Sequence, residues 1–141
     1  MATYTLSAHY PGDLVFPQAD SAPTTLAISP ATTQIPDISL SRTNIQIGDL
    51  FNVTFQVLNI DSSPIPSGNG YVLLDTSSYC GSPVSSTALK SWNQVGINAL
   101  GIGTYMNLSF NTSNTWFVNV YFHDPNGNFR DACFAKQVYF P

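Results

Sequence analysis

The side chains able to do acid–base, nucleophilic or metal chemistry are few. The chain of 141 residues holds two histidines, His9 and His123, two cysteines, Cys80 and Cys133, eight aspartates and no glutamate. Neither histidine has a second His, Cys or carboxylate at ligand spacing except Asp124 beside His123, and adjacent strand residues point to opposite faces. From Asp124 to Asp131, oxygen-bearing side chains alternate in a way that partly resembles a calcium loop. A plain turn asks for the same Asp, Asn and Gly residues, so a turn is the expectation. The chain has no G-x-S-x-G elbow, phosphate-cradling glycine loop or H-E-x-x-H pair. Most of the aspartates sit in turn-like segments. The sequence thus predicts a non-enzyme with no cofactor and no metal, acting by binding.

Cys80 and Cys133 are expected as a structural disulfide, the alternative being two free buried thiols in a reducing compartment. Their spacing is unlike C-x-x-C redox motifs. A bond would close a loop of roughly 53 residues and stabilise the fold by about 4 kcal/mol on chain entropy. Asn52, Asn107 and Asn111 each begin an N-x-S/T sequon and are candidate glycosylation sites. Trp92 lies in Leu89-Lys90-Ser91-Trp92-Asn93-Gln94, a poorly patterned stretch. An exposed indole with Lys90, Asn93 and Gln94 around it would make a platform for a sugar ring or a protein hot spot. The competing expectation is that Trp92 caps the core. Trp116, opening a periodic strand, is expected in the core. Tyr4, Tyr10, Leu14 and Phe16 are the candidates for an apolar self-association patch, unless they pack on the rest of the chain.

These residues need strands to position them. In Ile45–Asn59, Phe51, Val53, Phe55 and Val57 alternate with Asn52, Thr54 and Gln56, the two-residue period of a half-buried strand. Further strands are expected at 3–10, 38–42, 71–75, 104–110, 115–123 and 129–140. Asn126-Gly127 predicts a tight type I′ hairpin turn. Residues 76–86 read as a loop, and 87–100 as a strand plus a turn or one short helix. Pro23, Pro30 and Pro36 exclude a helix from 18–37, which reads as an extended connector or edge segment. The predicted organisation is an N-terminal strand and Pro/Ser/Thr-rich extension over 1–37 and an antiparallel β-sandwich over 38–141.

Composition narrows the function classes. Charged residues make up 9% of the chain at a net charge of −4. The four basic residues, Arg42, Lys90, Arg130 and Lys136, are too scattered to neutralise a phosphate backbone or an anionic lipid surface. Nucleic-acid binding and membrane insertion are therefore not expected. The apolar content of 43% is enough to fold. The start, MATYTLSAHYPG, lacks a basic n-region and an apolar h-region. The Ser/Thr/Asn-rich surface nevertheless suits a secreted, extracellular protein, notably a fungal one, with Met1 standing where a signal was replaced.

The run Ile47-Gly48-Asp49-x-Phe51-x-Val53-x-Phe55-x-Val57, then Asn59 and a Pro/Gly-rich turn, resembles the corner and second strand of extracellular immunoglobulin-like modules. The closing pair of strands around Asn126-Gly127 resembles their last hairpin. The resemblance spans about 100 residues from Ile38, the usual size of that fold. It departs from antibody domains because neither cysteine is on the second strand. In size, composition and all-β character, the chain is also similar to small mushroom lectins and fungal immunomodulatory proteins. These likenesses imply a glycan or cell-surface protein as partner, and a homodimer is one form the protein would take. The alternative expectation is an assembly protein that docks through its N-terminal segment.

Overall fold

A computed structural model describes residues 2–83 and 91–138. The chain forms two compact units, Met1–Pro30 and Ala31–Pro141. All regular structure among the described residues is β-strand.

The first unit is a single irregular hairpin. Strand β1 (Ala2–Leu6) pairs with β4 (Thr24–Ile28), and β2 (His9–Tyr10) with β3 (Ala19–Asp20), all antiparallel. Part of the segment expected as a connector is therefore the returning arm of a hairpin. Pro23 and Pro30 flank β4 instead of interrupting it, so neither removes a ladder hydrogen bond. The pairing shifts by one residue between Leu6↔Thr24 and His9↔Asp20. That irregularity splits the predicted 3–10 strand in two. Ala8 N–H donates to Ser21 Oγ there at 2.8 Å.

The second unit is a sandwich of two antiparallel sheets. The first sheet has the order β11 (Ile102–Leu108), β7 (Phe51–Gln56), β6 (Ile38–Leu40). The second has the order β10 (Asn93–Gly96), β9 (Asn69–Asp75), β12 (Trp116–His123), β13 (Ala132–Val138). A small pair, β5 (Thr33–Gln34) with β8 (Leu58–Asn59), also belongs to this unit. The alternation read in 45–59 is realised in β7: Phe51, Val53 and Phe55 are buried, while Asn52, Thr54 and Gln56 are half-exposed. The strand begins at Phe51, later than predicted, because Gly48 turns the chain at φ +86° just before it.

The inner face of β7 meets Val72 of β9 and Val118, Val120 and Phe122 of β12, all fully buried, in one core with Ile38, Val57 and Phe110. Each such side chain contributes about 1.5–3 kcal/mol by leaving water. Close approach of the sheets is set by glycine. A Cβ on Gly70 or on Gly103 would sit 2.5 or 2.6 Å from Phe55 Cζ, so the ring fits between two bare backbones.

Of two connections, one agrees with expectation and one departs from it. β10 with its following turn fits the strand-plus-turn alternative for 87–100, whose first residues, to Lys90, lie outside the described residues. The predicted two-residue turn at Asn126-Gly127 is a wider loop, since β12 ends at His123 and β13 starts at Ala132. Buried Asp124 sets that loop: its carboxylate accepts the amides of Asn126, Asn128 and Phe129 at 3.0, 2.8 and 3.2 Å. With those oxygens taken by backbone N–H groups, the turn reading accounts for the acidic residue and the calcium-loop reading does not.

Candidate functional site

The outer face of the second sheet carries the first candidate. Tyr121 and Asn119 on β12 point away from the core, yet they are 7% and 0% exposed. The chain after β9 folds back over them. Asn119 Oδ1 accepts the Tyr79 N–H at 2.7 Å, and its Nδ2 donates to Ser77 O at 3.3 Å. Cys80 is bonded to Cys133, whose Cα lies 5.7 Å away on β13, opposite Tyr121 in the ladder. The expected disulfide thus stitches this covering segment to the sheet.

Trp92, just before β10, packs between Tyr79 and Tyr121. Its ring centroid is 6.1 Å from Tyr79 and 6.2 Å from Tyr121, the latter edge-on. The indole is half-buried, so much of its surface is spent on packing. Its Nε1 is buried and has no hydrogen-bond partner among the described residues. Asn93 is committed too: its Oδ1 accepts Tyr105 O–H at 3.1 Å and its Nδ2 donates to Val72 O at 3.3 Å. Gln94 is exposed on the edge strand β10, and Lys90 lies outside the described residues.

At the far end of the same face, Tyr121 O–H donates to Asp131 Oδ2 at 2.6 Å, and His123 Nδ1 lies 2.9 Å from Asp131 Oδ1. Burial first, and then the Asp131 hydrogen bond, push the Tyr121 hydroxyl above its ordinary value, opposed by a hydrogen bond from Ser82. His123 is thus placed by Asp131, eight residues on, and not by its neighbour Asp124. Among the described residues, no group of three His, Cys, Asp or Glu side chains is placed to hold a metal ion. No helix among them is long and apolar enough to cross a membrane.

A groove of about 430 Å³ runs along β6 and β13, lined in part by Arg42 and Lys136. Both cations are engaged: Lys136 Nζ donates to Asp37 Oδ1 at 3.1 Å and Ile38 O at 2.6 Å, and Arg42 Nη1 is 3.3 Å from Asp49. The groove therefore offers an anion little uncommitted charge. Of the sequon residues, Asn107 and Asn111 are exposed. Asn107 has φ 61° at a bulge in β11, and the half-buried Asn52 accepts its N–H at 3.1 Å.

The first unit carries the second candidate. In the β1–β4 register, Ala2, Tyr4 and Leu6 share a face with Ile28, Leu26 and Thr24, while Thr3, Thr5, Thr25 and Ala27 form the other. Tyr4, Leu6, Leu26 and Ile28 are between 45% and 54% exposed. The turn between β2 and β3 displays Leu14, Val15 and Phe16, with Leu14 fully exposed. Asp13 holds that tip: its Oδ1 accepts the amides of Val15 and Phe16 at 2.8 and 2.7 Å, and its Oδ2 accepts Tyr10 O–H at 2.6 Å. These contacts, Tyr10 first, hold the Asp13 carboxyl below the ordinary aspartate range. His9 and Asp20 face each other across β2 and β3 and are hydrogen-bonded.

The sequence named Tyr4, Tyr10, Leu14 and Phe16 of this surface and missed Leu6, Leu26 and Ile28. The signal was the alternation of Leu26 and Ile28 with Thr25 and Ala27, hidden by the prolines on either side. Asn119 was missed as well, although an amide inside the apolar run Trp116–His123 marks a strand with something covering its outer face. No protein-family model and no curated protein matches this chain.

Proposed function

We propose that the protein is a non-catalytic, extracellular binding module of immunoglobulin-like fold that docks onto a neighbouring protein through its N-terminal hairpin, in an assembly role. One observation carries this reading: a ribbon with one apolar face and an apolar tip leaves all of its large side chains at least 40% exposed. Natural monomers seldom display such a contiguous patch without a use for it. The strand orders β11-β7-β6 and β10-β9-β12-β13 suit an immunoglobulin-like sandwich. The Cys80–Cys133 bond suits an oxidising compartment, and the exposed Asn107 and Asn111 suit glycosylation there.

A second reading, recognition of a glycan or cell-surface protein at the β10 edge, is favoured by the orphaned Trp92 Nε1 beside exposed Gln94. A photoreactive residue placed at Phe16 or at Trp92 of the full chain separates the two. An adduct to a protein from position 16, lost when Tyr4→Asn and Leu26→Asn are added, supports docking by the hairpin. An adduct from position 92 alone moves the binding site to the sheet edge, and silence from both refutes both surfaces.

A further inference from the structure

We infer that the occupant of the hairpin's apolar face is the same face of a second copy of this chain, packed about a two-fold axis. The inference rests on the docking role proposed for the hairpin and names its partner.

A unit of this kind does not stabilise itself. Met1–Pro30 is built on one two-stranded ribbon, and an isolated hairpin is at best marginally stable in water because half of every side-chain layer has nothing to pack on. The alternation in β1 and β4 supplies one apolar layer. A second ribbon laid face to face on it would complete a small sandwich.

The chemistry of the face suits an identical partner. The unit has no Lys, Arg or Glu, and its charged groups are tied up locally, Asp13 in its own turn and Asp20 with His9. No charged side chain lies among Ala2, Tyr4, Leu6, Leu26 and Ile28. Two copies of a chain of net charge −4 therefore meet here without placing like charges opposite one another, and the face has no charge with which to select an unlike partner. A two-fold contact requires such a self-complementary patch.

The area is sufficient. With large side chains offering roughly 200 Å² each, the exposed fractions of Tyr4, Leu6, Leu26 and Ile28 amount to roughly 400 Å² and those of Leu14, Val15 and Phe16 at the tip to roughly 500 Å² more, so the proposed contact takes in both face and tip. A stable interface buries about 800 Å² per partner.

Sedimentation equilibrium on the purified full chain, from about 1 to about 200 µM, tests this. A dimer is expected whose dissociation constant rises at least about a hundredfold in the Tyr4→Asn/Leu26→Asn variant. Thr3→Asn/Thr25→Asn, on the opposite face, should leave the constant unchanged. All of these side chains are exposed, so the thermal transition of the sandwich should not move and loss of folding is excluded as a cause. A wild-type monomer throughout the range, or a dimer equally tight in the Tyr4→Asn/Leu26→Asn variant, overturns the inference. If the wild type is monomeric while position 16 still crosslinks to a different protein, docking by the hairpin stands and self-pairing falls. With no crosslink either, both fall.

Discussion

Asn119→Ala is the sharpest test of how the outer face of the second sheet is held. The side chain is fully buried, and its Oδ1 is the acceptor for the Tyr79 amide at 2.7 Å. The Nδ2 contacts to Ser77 O and Phe117 O are longer, 3.3 and 3.4 Å, and count for less. Truncation leaves one N–H without a partner, at a cost of about 1–3 kcal/mol. Tyr79 is only half-buried, so water partly repairs the loss and about 2 kcal/mol is the expected value. For a domain of this size that lowers the midpoint of thermal unfolding by about 8 °C. The same free energy should speed hydrogen exchange at the Tyr79 amide about thirtyfold. The disulfide at Cys80 tethers the next residue, so removing it should make the Asn119→Ala effect non-additive in a double-mutant cycle. A midpoint shift under about 2 °C together with unchanged Tyr79 exchange would mean that Asn119 does not hold this segment.

Four further outcomes are expected. Replacing Cys80 and Cys133 by serine should lower stability by about 4 kcal/mol, as expected for a 53-residue separation, read from urea unfolding. A fall under about 1 kcal/mol would show that the unfolded chain is already restricted. Gly101→Ala should cost more than about 2 kcal/mol, because φ is +73° and the new Cβ would lie 2.4 Å from Val57 O; a neutral variant would contradict the backbone path there. Asp37 is held below the ordinary 3.8 by the Ile38 amide and then Lys136. Its contribution is thus complete above that value and is lost as pH falls through the lower folded-state value, so Asp37→Asn should lower stability at neutral pH, with the difference from the parent protein shrinking as pH falls below 3.8. Trp92→Ala removes the ring that packs on both Tyr79 and Tyr121 and should cost about 2 kcal/mol, below the range for fully buried aromatics because the indole is half-buried; full stability with lost ligand binding would return Trp92 to the role of an open platform.

The fold was legible where one periodicity acted alone. β7 reads from Phe51, Val53 and Phe55 because one face is in the core and the other is wet. β12 is different, since Val118, Val120 and Phe122 enter the core while Asn119 and Tyr121 are covered from outside. Its sequence is nearly continuous in apolar character, and the covering segment around Cys80 is held by a disulfide, the Asn119 amide and the Tyr79–Trp92 ring contact, which link residues far apart in the chain. The loop at Asn126-Gly127 was misjudged because local turn chemistry yielded to Asp124, whose carboxylate gathers amides up to Phe129, and to Ala31, which exchanges backbone hydrogen bonds with Asn128 and Arg130. β4 was lost beside Pro23 and Pro30, which read as breakers but act as strand ends.

The two units differ in how completely their own side chains satisfy them. In the second, the strands have a core on one side, and an aromatic and disulfide cluster covers part of the other. Even the carboxylate of Asp124 and the amide of Asn119 are spent on internal backbone. In the first, the pairing hydrogen bonds are made and the tip is fixed by Asp13, yet the apolar layer of Tyr4, Leu6, Leu26 and Ile28 remains open. Backbone pairing without side-chain burial yields little net stability, because the ladder only exchanges water for protein partners. The ordered tip sharpens the point. Asp13 uses both carboxylate oxygens to hold a turn whose side chains, Leu14, Val15 and Phe16, are each more than 60% exposed. A conformation fixed by that many contacts while displaying three apolar side chains would meet the proposed partner surface with its ordering cost already met.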